Sequence, residues 1–225
     1  MTNWREMLKQ KPVKLPLVLP EEILLLEMDS VILLPKGQLP LQLTPRQTPI
    51  FYQALGADRL VGVVQVAKED ENNQVLFKTG CLGRIVAFSE NEDAEPFVIV
   101  VGLARFEILE EKTGPYGTKH AKVCYKPYAY DAFEADETLV ENRDHFLSTV
   151  RTYCQSLDVH PNWDEVLKSG DETLVTALTM MCPFEAHEKQ ALLETTTLQD
   201  RARVLAALME LACLKKETPL GGFMN

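Results

Sequence analysis

In the first half of the chain, short runs of Val, Ile and Leu recur between clusters of Gly, Pro, Asn and Asp, the pattern of strands joined by tight turns. Ile23–Met28, Val31–Leu34, Leu39–Leu43 and Leu60–Val66 are the first such runs, and Gly62 inside the last marks a bulge or a close approach. Between them, Thr44 followed by Pro45 predicts a short helix over 45–54, ended by Gly56. Further on, the polar turn 69–74, with Asn72 and Asn73 at its tip, leads to Val75–Lys78, and the acidic turn 89–96 joins Cys81–Phe88 to Phe97–Val101. Phe106 and Ile108 alternate with Arg105 and Glu107, and across the Gly114–Gly117 turn Ala121, Val123 and Tyr125 alternate with Lys122 and Lys126. Alternation with period two on both sides of a Gly-Pro turn is a hairpin with one buried face. So many short strands predict a barrel or sandwich.

After about Ala135 the period lengthens to three or four. Leu139, Phe146, Val150, Tyr153 and Leu157 stripe one helix, with Thr138 and Glu141 as a capping box. Pro161 and Asn162 break the pattern. Leu174, Leu178 and Met181 stripe a second helix from Asp171 to before Pro183, 185–193 is a third with Glu185 and Lys189 at ion-pair spacing, and 197–214 is a fourth. The tail 218–225 is expected to fray. The expected class is α+β, with a β-rich part over 1–132 and a helical part over 133–225.

Composition narrows what such a chain can do. With 225 residues, 46% apolar and 25% charged, it can bury a substantial core. A formal net charge of −10 opposes general binding to polyanions, which need a surface surplus of Lys and Arg. The first fifteen residues lack the apolar core of a secretory signal, and Leu15–Leu34 is broken by Pro16, Pro20, Glu21, Glu22, Glu27 and Asp29, so neither export nor a membrane span is expected. The five cysteines, Cys81, Cys124, Cys154, Cys182 and Cys213, are odd in number and widely spaced, which reads as reduced thiols in a cytoplasmic protein.

Catalytic patterns are scarce. There is no GxxxxGK[ST] phosphate loop, and the four histidines, His120, His145, His160 and His187, stand apart from one another and from the cysteines at metal-ligand spacing. Cys182 and His187 are the nearest approach to a nucleophile and base, but Cys182 closes a helix, where the dipole discourages a thiolate. No enzyme activity, cofactor or metal is expected.

A series of segments carries a family resemblance. Leu34-Pro35-Lys36-Gly37 is followed by Leu39-Pro40-Leu41, Pro45-Arg46 and Asp58-Arg59-Leu60-Val61-Gly62-Val63-Val64. Then come Gly80-Cys81-Leu82-Gly83-Arg84-Ile85, Gly102-Leu103-Ala104-Arg105-Phe106-Glu107-Ile108, and, in the helical part, Pro183, Glu188-Lys189-Gln190-Ala191-Leu192-Leu193-Glu194 and Arg201. In order and separation these segments resemble the amino-terminal substrate-binding domain of the Lon ATP-dependent proteases, as a stand-alone domain without ATPase or peptidase. The resemblance implies a PUA-like β pseudobarrel followed by a small helical bundle, binding unfolded or tagged polypeptide, with a protease as a further partner. Contacts implied are Pro45, Arg46, Arg84 and Arg105, with a structural reading beside each: Pro45 starts a helix, and the arginines pair with barrel carboxylates. Two other readings stand beside it: RNA binding by the barrel, if Arg84, Arg105, Lys122 and Lys126 share a face, and a small hydrolase using Cys182 and His187.

Overall fold

The computed structural model describes residues 18–70, 73–91, 94–114, 117–132 and 140–217. The turn tips at Asn72, Glu92, Asp93, Pro115 and Tyr116, the cap at Thr138, the first fifteen residues and the tail 218–225 lie outside them. Two compact units emerge, Met1–Ala135 with Cys182–Glu194, and Asp136–Met181 with Thr195–Asn225. The division is therefore not one cut near 132, because a later helix returns to the β unit.

The β unit contains β1 (Glu22–Met28), β2 (Gln38–Gln42), β3 (Leu60–Asp70), β4 (Asn73–Leu76), β5 (Thr79–Asn91), β6 (Ala94–Thr113) and β7 (Lys119–Cys124). The strand order is β1-β7-β6-β5-β3-β4, and β1 also pairs in parallel with β3, which closes the sheet on itself. Closure removes the free edges that an open sheet would expose. β2 adds to β6, and β4 extends β3. Four consecutive residues of β1, Ile23 to Leu26, are buried, as in a strand covered on both faces. Leu25, Leu82, Leu103, Phe106, Ala121 and Val123 fill the interior, and each large side chain there contributes about 1.5–3 kcal/mol of burial.

One expected strand is something else, and two others run together. Residues 31–34 form no ladder, yet Ile32, Leu33 and Leu34 are fully buried. They cross the inner side of β6 so closely that a Cβ on Gly102 would overlap the Leu34 carbonyl. Backbone bonds from Lys36 N to Gly102 O and from Gly102 N to Gly37 O, both 2.9 Å, seal the crossing. Glycine at 102 thus lets one strand, β6, run through where two were expected. At Gly62, likewise, a side chain would collide with Ile23 and Phe106.

The helix predicted from Pro45 begins three residues later, as α1 (Thr48–Leu55), with Pro49 in its first turn. Thr44 closes a turn instead: its carbonyl accepts from Gln47 N and Thr48 N at 3.0 Å, while the Gln47 side chain accepts from Thr44 N at 3.1 Å. Phe51 and Ala54 point inward.

The second unit holds α2 (Arg143–Ser156), α3 (Trp163–Lys168), α4 (Asp171–Met181) and α6 (Leu198–Glu217). Phe146, Val150 and Tyr153 are the buried stripe of α2, as the spacing predicts, but the helix starts at Arg143 behind a left-handed Asn142. The backbone N–H of Glu141 donates to Gln199 and its carboxylate pairs with Arg203. α3 goes unseen in the apolar pattern because it buries nothing; Asn162, read as a breaker, is its cap, accepting from Asp164 N at 3.2 Å. Asp171, 6% exposed, accepts from Val140 N at 2.6 Å and pairs with Arg143.

α5 (Ala186–Glu194) belongs to the β unit. Gln190 donates to the Thr79 carbonyl at 3.1 Å and accepts from Gln65 at 3.0 Å, and Lys189 donates to the Ser30 carbonyl at 2.9 Å. Lys189 is therefore a buried anchor and not the surface partner of Glu185 that its spacing suggests.

Candidate functional site

The segment from Leu43 to Leu55 is the part of the β unit where sequence and shape converge. Leu43 is tied down by its N–H to the Pro96 carbonyl at 2.8 Å, the turn that follows is locked by Gln47, and α1 seats Phe51 and Ala54 in the core. What remains forms a rigid ridge with a depression on either side.

One depression is a cleft of about 550 Å³. Leu25, Ile50 and Val66 give it an apolar floor, and Glu27, Asp29, Arg46 and Lys119 place two acids and two bases around it. Lys119 and Glu27 form an ion pair. The other is a trough of about 510 Å³ walled by Leu43, Pro45, Thr48, Pro49, Tyr52 and Pro96, with Glu95 at its edge. Pro49 borders both. The Tyr52 ring stands edge-on to Phe88 at 6.0 Å, and its hydroxyl donates to the Glu90 carboxylate; that bond, first, and burial and the Glu90 charge after it, push the phenol pKa above its usual range. The volumes suit a few side chains of a larger ligand.

The four residues singled out from the sequence separate here. Pro45 and Arg46 are exposed and line the trough and the cleft respectively. Arg84 lines neither depression, and its Nε is buried with no hydrogen-bond partner among the described residues. Arg105 lies in the interior, 3% exposed. Its Nε and one terminal nitrogen donate to Asp131 at 2.8 and 2.7 Å, the other to the Leu193 carbonyl at 2.9 Å, and its guanidinium stacks 4.4 Å from the Tyr128 ring centroid. It ties the 3-10 turn Lys126–Ala132 and α5 to β6.

Of the four basic residues named for an RNA-binding face, Arg105 is buried. Lys122, in register between Glu22 and Glu110, faces acids on both neighbouring strands. The thiol and imidazole of the hydrolase reading diverge in environment: Cys182 is 6% exposed, whereas His187 is exposed in the first turn of α5. No cluster of three His, Cys, Asp or Glu suited to a metal occurs among the described residues, and none of their helices is long and apolar enough to cross a membrane.

Sequence reasoning missed Tyr52, Pro96 and Glu95. Tyr52 lies three residues after Pro49 on α1, so a shared helical face was readable. That Pro96 would meet them depends on the β2–β6 pairing, in which Gln42 lies opposite Phe97.

Comparison with known proteins places this geometry. The family described as ATP-dependent protease La (LON) substrate-binding domain matches residues 22–210. No curated protein matches the chain. Among solved structures, the N-terminal domain of the Mycobacterium avium complex Lon protease is similar with a TM-score of 0.59 at 16% identity, covering 84% of this chain and 98% of that one. The Lon N-terminal domain protein from Xanthomonas campestris is similar with a TM-score of 0.60 at 16% identity, covering 83% of this chain and 97% of that one. Both likenesses are of fold.

Proposed function

The chain belongs to the Lon substrate-binding domain family, and from that premise we propose that it recognises unfolded or tagged polypeptide in the cytoplasm as an adaptor or regulator of proteolysis, with no catalytic step of its own. The observation that carries the reading is the Leu43–Leu55 ridge, a pre-organised support with an apolar trough on one side and a mixed-charge cleft on the other. An unfolded segment offers apolar side chains, charges and backbone groups in irregular order. A surface with both kinds of depression side by side can take such a segment without demanding one sequence. Rigidity matters as well, because walls built from prolines and a seated helix lose little freedom on binding. Pro45 and Arg46 are the contacts proposed from this ridge, joined by Tyr52.

Fluorescence anisotropy with a reduced, carboxymethylated globular protein as the unfolded ligand tests this. Tyr52→Ala is expected to weaken binding about tenfold, the effect of losing one aromatic anchor, and Arg46→Glu to weaken it less. Undiminished binding by both variants removes the ridge as the site, and absence of binding by the unaltered chain removes the function.

A further inference from the structure

Resting on the polypeptide-recognition reading above, we infer that the trough beside α1 selects segments in which an apolar or aromatic side chain is flanked by lysine or arginine. Its walls are largely apolar: Leu43, Pro45, Pro49 and Pro96 line it together with Tyr52, which is 46% exposed. Its edge is acidic. Glu95 borders it directly, and Glu90, outside the lining, accepts a hydrogen bond from the Tyr52 hydroxyl. Among the described residues no Lys or Arg lines this depression, whereas the cleft across the ridge sets Arg46 and Lys119 against Glu27 and Asp29 and is close to neutral.

An occupant of the trough is therefore chosen by two features together. A large apolar side chain fills the space between the prolines, which water leaves without loss of hydrogen bonds. A cation beside it meets the carboxylate of Glu95, while an acidic neighbour meets like charge. The same field extends over the whole molecule, which holds 33 acidic against 23 basic residues. Segments combining both features are buried in folded proteins at their apolar residues and become available when a chain unfolds.

Three short labelled peptides with the same central aromatic residue, flanked by Lys, Ser or Glu, are titrated by anisotropy against the full chain. The Lys-flanked peptide is expected to bind about threefold to tenfold more tightly than the Glu-flanked one at low ionic strength, the range that exposed attraction to Glu95 in one and repulsion in the other supply. The gap is expected to shrink as salt rises, because exposed charges are screened. Glu95→Lys, at an exposed position that leaves the fold intact, is expected to flatten or reverse the order, with circular dichroism checking the fold. Equal affinities for all three peptides overturn the selection and leave polypeptide recognition standing. A preference unchanged in Glu95→Lys overturns the trough as its source. Failure of every peptide and of the unfolded protein to bind takes down both.

Discussion

Arg105 shows how much one residue's role depends on where the chain puts it. In sequence it is a polar position in an alternating strand; in the structure it is a guanidinium with its donors spent on Asp131 and Leu193. Removing one partner of a buried ion pair leaves the other charge stranded, so Arg105→Ala is expected to cost about 3–5 kcal/mol in urea denaturation. A loss below about 1 kcal/mol would mean that the pair contributes little. Lys189 is the second case. Burial, its main cause, lowers its pKa from 10.5, and the charge on Cys182 opposes the shift. Between the folded value and 10.5 the unfolded chain binds more protons, so stability rises with pH across that window and is lost as pH falls through the folded value. Compared with Lys189→Met, the unaltered protein should gain stability as pH is raised from neutral towards 10.5. Parallel pH curves would refute it.

At the scale of elements, the decisive feature is the crossing of residues 31–37 over β6. The apolar run 31–34 was readable in the sequence, but not that it and the glycine at 102 are two halves of one contact. Gly102→Ala would force the Leu34 backbone away and open the bonds on either side of it. The expected cost is about 3 kcal/mol or more, with Gly170→Ala, where nothing stands within 4 Å, as a control near zero. Equal melting of the two variants would show that the crossing yields easily. Helix starts followed a similar logic. Thr197, expected as the first residue of the last helix, caps it instead, its hydroxyl accepting from Asp200 N at 3.0 Å. Thr44 looked equivalent, yet Gln47 captured it for a turn and moved the ridge.

For the whole molecule, charge and closure set the outcome. Among the described residues the closed sheet leaves strand edges at β2 and β4, and β2 carries Pro40, which has no N–H to donate to a passing strand. Recognition is thus expected at the ridge beside α1. With a net charge of −10 and Lys122 flanked by acids, the chain is expected to show no salt-dependent retention of single-stranded or duplex RNA in filter binding. Retention that falls steeply with salt would revive that alternative.

Periodicity alone determined that strands precede helices, because alternation at two and striping at three or four are properties of neighbouring residues and survive in one dimension. The ordered segments from Leu34 to Ile108 carried the family resemblance for the same reason. Which polar residues are anchors and which are contacts was settled only in three dimensions. Arg105 meets Leu193, Gln65 meets Gln190 and Pro49 meets Pro96 through pairings far apart in sequence. Local pattern has no access to such pairings, since each is fixed by strand register and by where α5 returns.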